Sequence, residues 1–72
     1  MKVFSCERLK VLRKKRGLTQ EQLARQADIT AHGYVMLENG HRGPLVSTLA
    51  KLADALDVTP NYFFKEVKNS AA

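Results

Sequence analysis

Gly17-Leu18-Thr19-Gln20-Glu21-Gln22-Leu23-Ala24, a turn at Asp28-Ile29-Thr30, then Tyr34 and Leu37-Glu38-Asn39-Gly40: this stretch decides the fold of the chain. Thr19 and Thr30 each stand where a helix begins, because their hydroxyls can accept from backbone N–H groups that no helical carbonyl reaches. Gln22, three residues after Thr19, completes a capping box. The spacing predicts two short helices at an angle around a tight turn. Leu23, Ala24 and Ala27 form the inner stripe of one, and its alanines allow a neighbouring helix to approach closely. Tyr34 and Leu37 point inward from the other, Ile29 plugs the turn from beneath, and Asn39-Gly40 ends the pair.

On the N-terminal side, Ser5 caps a helix that runs to about Arg16, with Leu9 and Leu12 inward and Lys10, Lys14 and Lys15 outward. Gly17 stops it. On the C-terminal side, His41-Arg42-Gly43-Pro44 reads as a loop. Ser47 or its neighbour then starts a helix carrying Leu49, Leu52, Ala53 and Leu56 at helical spacing. Thr59-Pro60 opens a short fifth helix with Tyr62, Phe63 and Phe64. No alternating run of β-branched residues occurs, so no sheet is predicted. The expectation is one all-α domain over residues 1–67, a compact five-helix bundle, with 68–72 as a flexible tail.

The 72 residues allow one core, and a chain this short buries only about 60% of its unfolded surface. Twelve Lys and Arg against seven Asp and Glu give a net charge of +5, which favours a polyanionic partner. The surplus is concentrated: residues 1–16 hold seven bases against Glu7 alone, and residues 17–46 hold Arg25 and Arg42 against three acids. A solvated helix face would account for that surplus as well. Cys6 is the only cysteine, so no internal disulfide can form and a reducing, cytoplasmic setting is expected. No apolar stretch approaches the roughly 20 residues that span a bilayer, and Val3-Phe4 is too short for a signal-peptide core.

Nothing in the chain assembles catalytic machinery. His32 and His41 fall on different elements, no metal-ligand spacing occurs, and there is no glycine-rich phosphate loop or carboxylate pair. No catalytic residue, metal or cofactor is expected.

Taken together, Arg8-Leu9-Lys10-Val11-Leu12-Arg13, Gly17-Leu18-Thr19-Gln20, Leu23-Ala24, Leu37-Glu38-Asn39-Gly40, Pro44, Leu49-Ala50, Leu52-Ala53, Leu56 and Val58-Thr59-Pro60 with Phe63-Phe64 resemble the phage-repressor/Cro (XRE-like) helix-turn-helix family. The resemblance covers roughly residues 8–64. It implies a lambda-repressor-like fold, a helix-turn-helix at about 19–39, and a third helix lying in the major groove of duplex DNA. Thr19, Gln20, Thr30, Ala31, His32, Val35, Met36, Asn39 and Arg42 fall at its DNA-facing positions. Gln20 matches a phosphate-bonding position at a helix start. Asn39 matches a second backbone contact and can also serve as a C-terminal cap. Arg42 lies where relatives place phosphate-binding bases, whereas His41 can equally be an exposed loop histidine. Arg13 and Glu38 match a structural ion pair.

The chain departs from the family at the outward positions of its third helix, Ala31, His32, Gly33, Val35 and Met36. Base edges are read mainly by hydrogen bonds, and only His32 offers an obvious donor or acceptor here. The apolar members could pack on thymine methyl groups, and Met36 adapts to irregular surfaces, a partner protein's included. Gly33 either lets a backbone approach closely or answers no demand at all. The expected function is a small DNA-binding transcriptional regulator, of repressor or controller type, acting as a homodimer. Tyr62-Phe63-Phe64 are candidates for the dimer contact, Phe63 being better suited to the core. The alternative is a protein-interaction or antitoxin-like module on the same fold, with weak or non-specific DNA binding.

Overall fold

Three hydroxyls start three of the helices in the computed structural model, which describes residues 1–67. Ser5 Oγ accepts from Arg8 N at 3.2 Å, Thr19 Oγ1 from Gln22 N at 3.0 Å, and Thr30 Oγ1 from Gly33 N at 3.0 Å. Gln22 Oε1 accepts in return from Thr19 N at 2.9 Å, closing the capping box. The helices they open are α1 (Cys6–Lys15), α2 (Gln20–Gln26) and α3 (Ala31–Glu38). The fourth, α4 (Val46–Ala55), begins behind Leu45 without a side-chain cap.

All four α-helices of the described residues end in the same way. Gly17, Asp28, Gly40 and Asp57 adopt left-handed backbone at φ of 72°, 57°, 78° and 58°. The following amide then reaches back over the last turn: Leu18 N to Arg13 O, Ile29 N to Ala24 O, His41 N to Met36 O and Val58 N to Ala53 O, at 2.9–3.2 Å. This Schellman geometry satisfies carbonyls that the helix leaves open. It also aims the residue after the turn at the body of the protein. Leu18, Ile29 and Val58 pack there against the core, while the fourth such position is the exposed His41.

The core consists of Leu9 and Leu12 from α1, Leu23, Ala24 and Ala27 around α2, Tyr34 and Leu37 from α3, Leu49, Leu52, Ala53 and Leu56 around α4, and Phe63. The helical stripes of the sequence therefore all turn inward.

The five-helix expectation is corrected at the C-terminal end. Pro60–Phe63 forms only a single 3-10 turn, and Phe64 leaves it in an extended conformation. The chain continues as strand β2 (Phe64–Glu66), which pairs antiparallel with β1 (Lys2–Phe4) in the register Lys2↔Glu66, Val3↔Lys65 and Phe4↔Phe64. The expectation of no sheet is thereby overturned as well. Each strand is three residues long, too short to show alternation, and the pair exists because the fold brings residues 2–4 beside residues 64–66. The Phe4 and Phe64 rings meet edge to face at 6.1 Å, and the Met1 amino group bonds Glu66 at 3.0 Å. The expected flexible tail, 68–72, lies outside the described residues.

Candidate nucleic-acid interface

The turn between α2 and α3 is made by Asp28, whose short polar side chain tolerates left-handed backbone, and by Ile29, which anchors the turn in the core. From there α3 presents two unlike sides. Tyr34, Leu37 and Glu38 are buried, Ala31 and His32 are exposed, and Val35 and Met36 are half-buried. The side carrying Ala31 and His32 is uncovered.

Gly33 makes room for the helix cap. A Cβ on this residue would stand 2.9 Å from Thr30 Oγ1, the atom that opens α3, and 3.9 Å from a guanidinium nitrogen of Arg42. The close approach is thus from side chains, not from a backbone. It also shows that Arg42, although it follows α3 in sequence, folds back beside the first turn of that helix.

Gln20 is the first residue of α2 and is half-buried. Asn39 is the C-cap of α3, its backbone N–H reaching Val35 and Leu37 carbonyls, and its side chain is exposed. Thr19 and Thr30 act through their caps. The α2 start, the uncovered side of α3 and the loop after it thus carry Thr19, Thr30, His32, Asn39 and Arg42 as exposed polar groups.

Behind this surface, Arg13 donates to Glu38 through two bonds, Nε to Oε2 and one terminal nitrogen to Oε1, both 3.0 Å. Its other terminal nitrogen donates to the Leu18 carbonyl at 2.7 Å. One side chain of α1 therefore holds both the approach to α2 and the end of α3. Burial alone would raise the Glu38 pKa, but Arg13, the Tyr34 hydroxyl and the Gln20 side chain together outweigh it and the carboxyl lies below its ordinary range. The hydrogen bonds to Glu38 raise the Arg13 pKa in turn. Burial first, and the neighbouring Glu38 second, push the Tyr34 phenol well above its ordinary range, although its hydroxyl makes no hydrogen bond of good geometry among the described residues.

Sequence reasoning missed the work done by two other arginines of the first helix. Arg8 donates to the carbonyls of Tyr62 and Phe64 at 3.3 and 2.9 Å, and Arg16 to that of Leu56 at 3.3 and 3.0 Å. Both tie α1 to the C-terminal third of the chain, and no local pattern could signal bonds between residues 40 or more positions apart. Arg8, Arg13 and Arg16 thus all carry structural bonds, but among the described residues only Arg13 of the three is paired with an acid.

A family model described as helix-turn-helix matches residues 9–63. The chain belongs to the XRE-like helix-turn-helix family. It is 39% identical over 61 residues to the uncharacterised HTH-type transcriptional regulator YqaF of Bacillus subtilis, covering 85% of this chain and 80% of that protein. It is 45% identical over 53 residues to the HTH-type transcriptional repressor RghR of the same organism, covering 72% of this chain but 39% of RghR, so it spans well under half of that relative. Among solved structures, the restriction-modification controller protein C.AhdI from Aeromonas hydrophila matches with a TM-score of 0.79 at 36% identity, covering 82% of this chain and 89% of that one. Among the described residues, no helix is long and apolar enough to cross a membrane.

Proposed function

We propose that this chain is a DNA-binding transcriptional regulator that engages duplex DNA as a homodimer, with α3 in the major groove. The observation that carries this reading is the uncovered Ala31–His32 side of α3, with Val35 and Met36 only half-buried, on a helix whose opposite side is locked into the core. Thr19, Gln20, Thr30, Asn39 and Arg42 surround it as phosphate-facing groups, and Ala31, His32, Val35 and Met36 form the base-facing set. The likeness to C.AhdI supports a controller or repressor role.

One domain of this size spans too few base pairs for useful discrimination. Two copies on half-sites roughly 34 Å apart overcome that limit. Within the aromatic cluster Tyr62, 38% exposed, is the member available for such a pairing, since Phe63 is wholly buried and Phe64 packs on Phe4. Leu45 and Val46, 70% and 85% exposed just beyond the loop that follows α3, fit it better.

Selection of bound sequences from a random DNA pool, with a sizing column run in parallel, tests the reading. A two-fold symmetric motif and a dimeric elution volume are expected; absence of any DNA binding would sink it. The second reading, a protein-interaction module, is favoured by the apolar character of Ala31, Val35 and Met36. It predicts DNA binding that is absent or insensitive to salt.

A further inference from the structure

Lys10 and Lys14 stand apart from the arginines of α1. Both are exposed, and neither is engaged in an ion pair among the described residues. Four residues apart, they share one face of the helix. With Cys6, Glu7 and Val11 they line a shallow groove of about 400 Å³ whose other wall is Glu38, the last residue of α3. Gly40 lies against the same face, since a Cβ on it would stand 3.7 Å from Cys6 Sγ. The groove therefore runs alongside the C-terminal end of α3 and the Asn39-Gly40 exit.

Glu38 does not neutralise the two lysines, because both of its oxygens are engaged by Arg13. The remaining acid on this face is Glu7, one turn before Lys10. The distribution of charge is also instructive: α3 contains no Lys or Arg, so the element read here as entering the groove of DNA carries no positive charge of its own.

We propose that the groove between α1 and the end of α3 seats the phosphate backbone of the duplex beside the bases that α3 faces, with Lys10 and Lys14 as its anchoring charges. This rests on the reading of α3 as the DNA-contacting helix. An ammonium on a flexible stem is suited to phosphate as a point charge, and such a contact fixes position without carrying base identity. The two lysines thus supply sequence-independent affinity to a reading helix that lacks it.

The test is the affinity of the full chain for random-sequence duplex DNA as a function of salt, for wild type, Lys10→Gln/Lys14→Gln, Glu7→Gln, and Lys65→Gln as a control outside the groove. The double variant should weaken binding to all sequences alike and flatten the log–log salt slope by about 0.9 for each lysine that meets a phosphate. Glu7→Gln should tighten binding at low salt, and Lys65→Gln should change neither quantity. Thermal unfolding of each variant checks that the fold is intact. A double variant with the wild-type slope overturns this inference alone. A wild type that binds no DNA at any salt overturns it together with the functional reading on which it rests.

Discussion

Arg13 and Glu38, 25 residues apart in sequence, meet through two parallel bonds of 3.0 Å beneath the uncovered side of α3. Their side chains are 9% and 1% exposed, so the pair is effectively dry. Removing one partner leaves a buried charge uncompensated. Glu38→Gln or Arg13→Met should therefore each cost about 3–5 kcal/mol. The double variant Arg13→Met/Glu38→Leu should recover much of that loss, because neither charge is then stranded. Urea denaturation of the three variants against wild type reads this directly.

The same pair sets a pH dependence. Glu38 titrates below the unfolded carboxyl value of 4.5, so the unfolded chain binds the proton more readily than the folded one. The stabilisation is fully present above about pH 4.5 and is lost as the pH falls through the lower native value. Midpoints of thermal unfolding should drop more steeply between pH 5 and 2.5 in wild type than in the double variant. Parallel curves would show that other carboxylates govern the acid limb.

Among the described residues, the buried Tyr34 hydroxyl lies near Glu38 and Arg13 but makes no hydrogen bond of good geometry. A buried polar group left unpaired costs about 1–3 kcal/mol. Tyr34→Phe removes the oxygen while keeping the ring in the core, so it should leave stability unchanged or raise it. A loss of more than about 1 kcal/mol by chemical denaturation would reveal a hydrogen bond with a net stabilising effect of the ordinary size.

Gly33 and Thr30 should be coupled. Replacing a helical glycine by alanine ordinarily gains about 1 kcal/mol, but here the new methyl would press on the capping hydroxyl 2.9 Å away, and displacing a cap costs about as much. Gly33→Ala should accordingly give no gain in wild type and about 1 kcal/mol in a Thr30→Ala background. Additive effects in this double-mutant cycle would mean that the cap moves aside freely.

At the proposed DNA surface, the division between anchoring and reading is separable by mutation. Gln20→Ala should weaken binding to every sequence by a similar factor while leaving the salt slope nearly unchanged, because a neutral amide displaces no counterion. Met36→Ala should change preference at one position of the selected motif and leave the salt slope intact. If the two variants behave identically across a panel of duplexes, the division is wrong.

The caps at Ser5, Thr19 and Thr30, the glycines at 17 and 40, and the apolar stripes of the four α-helices were legible because each depends on residues three or four positions apart. The order of these signals, together with Leu37-Glu38-Asn39-Gly40, carried the family as well. The end of the chain was not legible in the same way. Pro60 and the aromatics after it read as a helix start, yet the need to seat Phe63 in the core and run Phe64 alongside Phe4 cut that helix to one turn.

Local residue patterns alone specify the four helical segments, their inward faces and the turn chemistry between α2 and α3, since backbone hydrogen bonds and side-chain periodicity within one turn are local properties. Packing of the whole fold is what lets Arg8 and Arg16 clasp distant carbonyls, pairs β1 with β2, folds Arg42 back beside Gly33, and leaves Lys10 and Lys14 without an ion pair among the described residues. Each of these joins groups far apart in the chain. Their meeting depends on how the helices pack around one core, and no neighbouring residue encodes it.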